Sequence, residues 1–476
     1  MKDLTDIIKV NAQCAPDNPA FMSSKGTEIS YIQVLNAVEN YALSFRNSGR
    51  GRAGVLADNS PEWFYAVCAS FSENPVTALI DPQLDAENTI SALQRTGLEI
   101  IYYDANSEDT VMVLKEKMPE LKLIPIPEPD FSKCSEDISL SSLGNYYIVF
   151  TSGTTKKSKA AVTRIESFAG RLAQSAGYYS HIDGGKVMNP LPWHHAYAHL
   201  LLFAYYMNRV PIVVSSMKRI VPDIRKFRPE TLCLVPKVIS FLNERDIFNK
   251  YGIKMIQTGG GSPSSKDIDR LMTDGIAVQN CYGSTEMSGG VLLNEAGKAP
   301  TLLRTFPGDE AFTDENGELI IKTSFHLDEY YNDPESTAEL LSGDTIHTGD
   351  MAFIDEEGFV HLQGRKKDVI VMPNGEKIVC SEADESVKAI QGVKDGAVLL
   401  ADEFLTAVVV AEESDLSHIT EQIRSLNRQT SYQRRITRLL LRKKELPYTS
   451  MGKLERNRLE KEVSLCDAGE FVKIGI

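Results

Sequence analysis

A regular alternation of short apolar runs with longer amphipathic stretches is the feature of this sequence that most limits its fold. In the first part of the chain, strand-like apolar runs occupy 52–57, 77–80, 100–103 and 146–150, and a helix-like stretch begins near Pro61. Strands that alternate with helices in this way predict the α/β class and a wound sheet.

The alternation continues in the middle of the chain. Further apolar runs at 210–214, 232–235 and 253–257 are separated by helix-like stretches. They predict a second wound sheet in the same large domain. Over 317–361 the pattern changes to short β runs between Asp, Gly and Asn turns, which predicts a small β-barrel-like region.

The remainder of the chain has the size and pattern of a separate domain. Strands are expected near 393–400 and 407–411, and a helix is expected near 415–430. We therefore predict a large N-terminal domain over 1–364 and a small α+β C-terminal domain over 365–476.

Length and charge exclude several classes of function. At 476 residues the chain is too long for a lone small binding module. Fifty-one Lys and Arg against 65 Asp and Glu give a net charge of −14, so general attraction to nucleic acid or to an anionic membrane is not expected. The start lacks a secretory signal, and the most apolar segment, 196–207, is too short to cross a bilayer. The seven cysteines lie far apart without a CxxC pair, which favours a reducing cytoplasm.

A polar run follows the apolar strand at 146–150. The segment Phe150–Lys159 offers hydroxyls, backbone amides and ammonium groups that can donate to an anion. These groups suit a phosphate-binding loop, although the glycine spacing of the nucleotide triphosphatase P-loop is missing. A polar, solvated turn is the alternative.

Two further runs stand at the ends of apolar strands. The segment Cys281–Glu286 ends on a carboxylate, which can hold a magnesium ion that shares its oxygen ligands with phosphates. A strand-ending turn with a surface glutamate is the alternative. The segment Gln257–Ser262 carries three glycines, which permit close backbone approach to a planar base or an acyl chain, unless it is only a flexible loop.

Three charged residues in the last third of the chain are further candidates. Asp350 can accept both hydroxyls of a ribose, and Arg365 can add a donor to the same sugar or to a phosphate. The run 365–367 equally fits a solvated turn. Lys453 lies in a segment interrupted by proline and glycine, where an isolated lysine is usually a surface residue.

In this order, these segments resemble the adenylate-forming superfamily, which includes acyl-CoA synthetases, peptide-synthetase adenylation domains and beetle luciferases. Gly317–Ile321 and Tyr331–Thr337 match the GEL and PExT segment of the family, and the resemblance extends from about Leu35 to Leu459. It implies a protein that activates a carboxylate with ATP, releases pyrophosphate, holds an acyl-AMP and passes the acyl group to a thiol. It also implies that the small C-terminal domain is mobile.

The resemblance implies roles for the residues at matching positions. The β and γ phosphates would be gripped by Thr151, Ser152, Gly153, Thr154, Thr155 and Lys159. Thr285 would contact the α-phosphate, and Glu286 would hold magnesium. Adenine would be flanked by Gly259, Gly260, Gly261 and Tyr282, and Gly283 would also belong to the nucleotide site. The ribose would be held by Asp350 and Arg365.

The C-terminal domain would contribute to both half-reactions. Lys453 would bridge the carboxylate and the α-phosphate, and Lys367 would be the hinge about which the domain rotates. After rotation, the loop 372–376 with Gly375 would line the thiol tunnel.

The phosphate loop departs from the family pattern at three positions. Lys156, Ser158 and Ala160 stand where the family has Gly, Pro and Gly. The two extra cations would compensate for a less flexible loop, or the loop would have lost efficiency. A nucleotide-binding homologue with impaired catalysis is therefore an alternative reading.

The segment Pro192–Ala198 matches the PxxHxxG segment of acyl and aryl CoA ligases, with alanine in place of the glycine. His195 would lie between acyl pocket and thiol tunnel, whereas His194 is expected to be a core histidine that caps a helix. No aspartate stands here to pair with an ammonium group, so an ordinary α-amino acid is disfavoured. The pocket for a fatty or an aryl acid would be shaped by Trp193, His195, Tyr197, Gly261 and Met287.

The acceptor thiol has two candidate sources. Coenzyme A is the usual acceptor for this style of motif, and stand-alone members of the superfamily also load the phosphopantetheine of a carrier protein. The basic residues over 434–444 fit either acceptor or a solvated face. An oxidase or reductase of the superfamily is disfavoured because no second catalytic domain is expected after Leu459.

Overall fold

The computed structural model describes most of the chain. The described residues are 2–23, 25–151, 158–179, 185–261, 263–295, 298–371, 377–402, 404–430, 434–448, 454–465 and 471–474. The chain forms two compact units, Met1–Glu310 with Lys322–Thr345, and Ala311–Ile321 with Ile346–Ile476. The domain boundary expected after residue 364 stays a prediction.

The helices of the two units are given in chain order. Those of the first unit are α1 (Asp6–Cys14), α2 (Tyr31–Ser48), α3 (Pro61–Glu73), α4 (Ala86–Thr96), α5 (Glu108–Lys117), α6 (Ile165–Ser175), α7 (Ala196–Met207), α8 (Ile220–Phe227), α9 (Pro236–Asn243), α10 (Ile247–Tyr251), α11 (Ser265–Thr273) and α12 (Pro334–Leu340). Those of the second unit are α13 (Cys380–Lys388), α14 (Leu416–Arg428) and α15 (Arg456–Leu465).

The strands follow the same order. The first fifteen are β1 (Pro19–Met22), β2 (Glu28–Ser30), β3 (Arg52–Leu56), β4 (Val76–Ile80), β5 (Ile100–Tyr103), β6 (Lys122–Pro125), β7 (Tyr146–Phe150), β8 (Ala160–Arg164), β9 (Val187–Asn189), β10 (Ile212–Val214), β11 (Thr231–Leu234), β12 (Met255–Gly259), β13 (Ala277–Tyr282), β14 (Leu292–Leu293) and β15 (Arg304–Thr305). The others are β16 (Glu310–Thr313), β17 (Glu318–Lys322), β18 (Glu329–Tyr330), β19 (Leu341–Ser342), β20 (Thr345–Ile354), β21 (Val360–Arg365), β22 (Val369–Val371), β23 (Lys377–Val379), β24 (Val393–Ala401), β25 (Phe404–Ala411), β26 (Arg438–Arg442) and β27 (Phe471–Ile474).

Local signals in the sequence explain several of these boundaries. Helix α2 begins with a capping box, in which the Ser30 hydroxyl accepts from the Gln33 amide and the Gln33 side chain accepts from the Ser30 amide. Helix α3 has Ser60 as its N-cap residue and Pro61 in its first turn, where proline lacks only an amide that would be unpaired anyway. These caps fix where the chain leaves one strand and enters the next helix.

Two largely parallel sheets form the first unit, and both were predicted from the sequence. Within the described residues, one sheet has seven strands in the order β18-β8-β7-β4-β3-β5-β6, parallel from β7 to β6. The other has nine strands in the order β15-β14-β13-β12-β11-β9-β10-β1-β2, parallel from β13 to β1. Their central strands are buried, as expected when helices cover both faces. The α/β class is therefore confirmed.

The second unit contains a mixed sheet in the order β24-β25-β26-β27. Its strands bury alternate residues on opposite faces. Val398 and Leu439 pack with Ile419 of α14, whereas Leu399 packs with Leu459 of α15. Helices therefore cover both faces of this sheet. The β region expected over 317–361 is present as a sheet that includes β16, β17, β20 and β21.

No helix within the described ranges is both long enough and apolar enough to cross a membrane. The described cysteines are free thiols, and five of these six are buried. Burial in the apolar interior raises the pKa of the Cys281 thiol to about 12.

Candidate active site

The carboxyl ends of two neighbouring parallel strands bring the glycine-rich segment beside the Tyr282 segment. Strand β12 ends at Gly259 and β13 ends at Tyr282, and Gly259 lies opposite Cys281 in the sheet register. Ligands of wound sheets bind at such strand ends, where loops of adjacent strands converge. The two segments that sequence analysis singled out separately therefore form one edge.

Gly259 is required by a close approach. A Cβ atom at this position would lie 2.9 Å from the Cys281 carbonyl oxygen and 2.9 Å from the ring of Tyr197. Gly260 has a φ of +78°, a left-handed conformation that glycine adopts at little cost. A Cβ atom on Gly261 would be 3.6 Å from the Pro236 side chain, an ordinary contact distance. The absence of a side chain at Gly259 lets the Tyr197 ring pack against the end of β12.

Gly283 lies even closer to neighbouring backbone than Gly259 does. A Cβ atom there would lie 2.0 Å from the Gly289 carbonyl oxygen and 2.6 Å from the Gly290 Cα atom. These are backbone atoms, which cannot move aside as a flexible side chain does. The close approach closes a compact loop, and within it Thr285–Met287 forms a single 3₁₀ turn.

Glu286, on this turn, is hydrogen-bonded to residues that shortly precede the PExT segment. Its Oε1 atom accepts a hydrogen bond of 2.5 Å from the hydroxyl of Tyr330, and its main-chain oxygen accepts one of 2.9 Å from the amide of Leu327. Tyr330 belongs to β18, which pairs with β8 directly after the phosphate-loop segment. Sequence analysis missed Tyr330, because a tyrosine beside the PExT segment carries no signal of its own.

Lys159 lies over the ring of the same tyrosine. Its Nζ atom is 4.8 Å from the centroid of the Tyr330 ring, within range of a cation–π contact. The Thr151 amide donates to the Lys159 carbonyl at 2.8 Å, and the Lys159 amide donates to Thr151 Oγ1 at 3.3 Å. The two ends of the predicted phosphate loop are thus paired. Residues 152–157, which include Ser152, Gly153, Thr154 and Thr155, lie outside the described residues.

Arg95 is a second residue that sequence analysis missed. Its Nη1 atom donates a hydrogen bond of 2.7 Å to the Ser158 carbonyl, and its Nε atom donates to the Ser91 carbonyl at 3.1 Å. Arg95, Lys159 and Asp333 line a cavity of about 530 Å³ beside the loop. Arg95 lies on α4, far from the loop in sequence, so nothing in the sequence pattern indicated the contact.

The segment before α7 is held in place by hydrogen bonds. Trp193 is fully buried, packs edge-to-face on Trp63 at 5.7 Å, and donates from Nε1 to the Asn189 carbonyl at 3.1 Å. His195 is the N-cap residue of α7, but its side chain makes no capping bond. Burial, together with a smaller effect of the neighbouring His194, lowers the pKa of the His195 imidazole to about 3. His195 is therefore neutral at neutral pH.

Tyr197 and Met287, which are also expected to shape an acyl pocket, are buried, whereas Gly261 is exposed. Burial raises the pKa of the Tyr197 hydroxyl well above its ordinary value, so the phenol stays protonated. Met287 is buried directly after Glu286. His194 is buried as expected, and its imidazole lies against Asp81. The expectation that it caps a helix was wrong, because the N-cap residue of α7 is His195. Roles for Trp193, Tyr197 and Met287 in an acyl pocket stay predictions.

In the second unit, Asp350 and Arg365 face each other across an antiparallel pair of strands. They are register partners in β20 and β21, and the Arg365 Nε atom lies 2.8 Å from Asp350 Oδ1. The Asp350 amide donates to Thr348 Oγ1 at 3.1 Å, and the Arg365 Nη1 atom donates to the Thr348 carbonyl at 3.4 Å. Sequence analysis assigned both residues to one ribose, and the fold places them side by side.

The remaining predicted residues of the second unit divide into described and undescribed ones. Lys367 is exposed in a short 3₁₀ turn, next to Lys366, whose Nζ atom contacts Glu318 Oε2 at 2.6 Å. That contact raises the pKa of Lys366. Gly375 and Lys453 lie outside the described residues.

The chain is similar to a known protein family, to individual proteins and to solved structures. The chain matches the model of a family described as AMP-binding enzyme over residues 8–331. It is 25% identical to a long-chain-fatty-acid–CoA ligase, FadD13, of Mycobacterium tuberculosis, over 88% of this chain and 90% of that protein.

Two solved structures share the fold over nearly the whole chain. One is the anthranilate CoA ligase AuaEII in complex with anthranoyl-AMP, with a TM-score of 0.86, 15% identity and coverage of 98% of each chain. The other is the O-succinylbenzoate coenzyme A synthetase of Bacillus subtilis in complex with ATP and magnesium ion. Its TM-score is 0.80 at 19% identity, over 95% of this chain and 98% of that one.

Proposed function

The chain belongs to the AMP-binding enzyme family, and from this membership we propose that it activates a carboxylic acid with ATP and transfers the acyl group to coenzyme A. Its relatives include proteins named as CoA ligases for a fatty acid and for aryl acids. We propose the same substrate classes for this chain, a fatty or an aryl acid.

One observation carries the proposal. Lys159, Glu286 and Tyr330 come from three separate segments of the sequence, and Tyr330 contacts both of the others within the first unit. The ammonium group lies over the ring of one phenol, and the carboxylate accepts from its hydroxyl. Such a pair of groups can bind a triphosphate and the cation that accompanies it. A solvated turn, the alternative reading of each segment, would not require the three to converge.

The first half-reaction is a substitution at phosphorus. A carboxylate oxygen of the acid bonds to the α-phosphorus of ATP, and the bond from that phosphorus to the pyrophosphate oxygen breaks. The enzyme mainly positions the reactants and offsets developing negative charge. In this proposal Lys159 binds the leaving phosphates, Thr285 contacts the α-phosphate, and Lys453 bridges the carboxylate and the α-phosphate.

The residues present fit a magnesium ion. Glu286 offers a carboxylate next to the predicted phosphate site, and carboxylate and phosphate oxygens are the ligands that magnesium prefers. Glu286 would hold the ion, which would offset the charge of the phosphates when bound.

The second half-reaction moves the acyl group to sulfur. The thiol loses its proton, its sulfur bonds to the acyl carbon, and AMP leaves with the former carboxylate oxygen. Asp350 and Arg365 hold the ribose, and His195 lies between acyl pocket and thiol tunnel as an uncharged group. Rotation about Lys367 would bring the segment that contains Gly375 to the tunnel.

Two alternatives have specific support. A phosphopantetheine-bearing carrier protein presents the same thiol as coenzyme A. A nucleotide-binding homologue with impaired catalysis is motivated by Lys156, Ser158 and Ala160 in the phosphate loop. The described cysteines are free and mostly buried thiols, which is compatible with the reducing cytoplasm that we expect as the location of the protein.

A panel assay tests the proposal. Release of AMP and pyrophosphate from ATP is measured with fatty, aryl and amino acids, each with coenzyme A, with a phosphopantetheinylated carrier protein and with no thiol. Turnover to a thioester with coenzyme A and a fatty or aryl acid is expected. Thioester formation only with the carrier protein would replace coenzyme A as acceptor, and binding of ATP without pyrophosphate release from any acid would establish the non-catalytic alternative.

A variant separates the half-reactions. Lys453→Ala is expected to lose adenylate formation but to transfer the acyl group from supplied acyl-AMP. Lys461→Ala, an exposed lysine on α15, is the matched control and should retain both. Equal loss of both half-reactions in the Lys453 variant would count against the proposed role.

A further inference from the structure

Three side chains of metal-binding types converge in the first unit, next to the predicted acyl pocket. Asp81 follows the carboxyl end of β4, while His194 and His195 immediately precede α7. One ligand atom from each, a carboxylate oxygen and two imidazole nitrogens, lies within 4.8 Å of the other two. The cluster joins the end of β4, in the seven-stranded sheet, to the segment between α7 and β9, a strand of the nine-stranded sheet.

The contact within this cluster is not an ordinary hydrogen bond. The His194 Nε2 atom lies 3.5 Å from Asp81 Oδ1, beyond the usual range for a nitrogen donor and an oxygen acceptor. The His194 residue is only 7% exposed, and its Nε2 atom is buried without a hydrogen-bond partner. A buried ring nitrogen without a partner is costly, and it points to a ligand that completes the site.

Hydrogen bonds from neighbouring residues support the cluster. Asn59 accepts a hydrogen bond of 2.9 Å from the Trp193 amide and donates one of 2.7 Å to the Leu191 carbonyl. The Gln83 amide donates to Asp81 Oδ1 at 2.8 Å. Outer contacts of this kind orient the ligands of protein metal sites. The Asp81 carboxylate and the backbone that carries the two histidines are thus held in place before any ion arrives.

We propose that Asp81, His194 and His195 bind a divalent transition-metal ion of the zinc type. In a tetrahedral zinc site with bonds of about 2.0–2.1 Å, two ligand atoms are about 3.4 Å apart. The 3.5 Å between His194 Nε2 and Asp81 Oδ1 matches one such edge. Small side-chain rotations, which shorten separations of at most 4.8 Å to about 3.4 Å, would complete the others.

The donor set selects the metal. Two imidazoles and one carboxylate suit zinc, cobalt or nickel, whereas magnesium prefers oxygen ligands alone. Asp81 is partly exposed, with 21% of its side chain accessible, which provides a path for entry. Three protein ligands leave one position for water or for a donor from a small molecule.

The experiment measures binding and needs no catalytic activity, so it is independent of the proposed function. The full-length protein, freed of metal by a chelator, is titrated with cobalt(II) followed by visible absorption and with zinc chloride followed by calorimetry. One ion per chain is expected, with the visible bands of four-coordinate cobalt. A thousandfold excess of magnesium should not displace it.

Variants assign the ligands. Asp81→Asn and His194→Phe should each weaken zinc binding at least about tenfold. His361→Asn is the matched control, because His361 pairs with Asp355 at 2.7 Å in the second unit and belongs to no three-ligand cluster among the described residues. Should His194→Phe fail to fold, Asp81→Asn and His195→Gln carry the same test. Absence of binding, displacement by magnesium, or unchanged affinity in the ligand variants would overturn the proposal.

Discussion

Tyr330 donates a hydrogen bond of 2.5 Å to Glu286 and so fixes the carboxylate that is proposed to hold magnesium. Its ring also lies under the Lys159 ammonium group, 4.8 Å from ring centroid to Nζ. The two charged groups are thereby held at set positions by one phenol in the absence of a ligand. Arranging such groups beforehand lowers the cost of binding a charged substrate.

Tyr330→Phe tests this arrangement. Loss of a hydrogen bond to a charged group costs about 1.5–3 kcal/mol, so kcat/KM for ATP should fall by about tenfold or more. Because the ring remains, the packing under Lys159 should persist, and the free energy of unfolding should fall by no more than about 3 kcal/mol. Initial rates of pyrophosphate release at varied ATP and magnesium give the measurement.

Tyr331→Phe is the control for this variant. Its ring lies beside Arg52 at 4.7 Å rather than between Lys159 and Glu286. Equal effects of the two substitutions on kcat/KM would contradict a specific role for the Tyr330 hydroxyl.

Arg95→Met tests the anchor of the phosphate loop. The substitution removes the donor to the Ser158 carbonyl and should leave the end of the loop less ordered before ATP binds. We expect KM for ATP to rise about tenfold, the equivalent of about 1.4 kcal/mol, with a smaller change in kcat. Arg52→Met is the matched control, since Arg52 donates to the Thr96 carbonyl near the end of the same helix instead. An unchanged KM in the Arg95 variant would show that the loop needs no such anchor.

The parts of the fold and site that sequence predicts are those encoded locally. Apolar runs bounded by turn residues located strands such as β7, β12 and β13, and strand ends located the segments beginning at Thr151, Gly259 and Cys281. Asp350 and Arg365 were assigned to one ligand, and they are partners across a hairpin. A short-range pattern suffices in each case.

Tyr330 and Arg95 could not be found in this way, because their contacts depend on tertiary pairing. Tyr330 reaches Glu286 only because β18 pairs with β8, about 170 residues away in sequence. Asp81 likewise contacts His194 only when the segments that follow β4 and β9, which belong to two different sheets, come together. In sequence these residues look like ordinary members of a strand end or a helix.

Gly283→Ala should damage the site more than its small size suggests. The added Cβ atom would meet the Gly289 carbonyl oxygen at 2.0 Å, so the loop that carries Thr285 and Glu286 must open. Strain of this kind typically costs about 1–3 kcal/mol, and we expect lower stability together with a large loss of pyrophosphate release. Gly177→Ala is the control, because its Cβ atom would enter open space. Wild-type activity and stability in the Gly283 variant would contradict the close approach.

His199 should make the first unit sensitive to acid. It lies in α7 with 1% exposure and packs edge-to-face on Phe168 at 5.0 Å and on Tyr147 at 5.8 Å. Burial lowers the pKa of His199 from 6.5 to about 3, and the charge of His194 acts in the same direction. The main-chain groups of Trp193 and His195 act against it.

The direction in which stability changes with pH follows from proton uptake by the unfolded chain. Between about pH 3 and pH 6.5 the unfolded chain binds a proton at His199 that the folded chain does not, so stability is full above pH 6.5 and falls as the pH decreases. The loss is about 1.4 kcal/mol per pH unit for this group. His199→Phe keeps the edge-to-face packing and removes the titration, so from pH 7 to pH 5 it should lose about 2 kcal/mol less than the wild type.

Urea unfolding at the two pH values gives the measurement. Both tryptophans, Trp63 and Trp193, lie in the first unit, so their fluorescence follows the unfolding of that unit. His326→Gln, at a partly exposed position, is the control and should show the acid dependence of the wild type. If His199→Phe lost as much stability on acidification as the wild type, His199 would have to take up its proton without unfolding, and the buried ring would then be accessible to solvent.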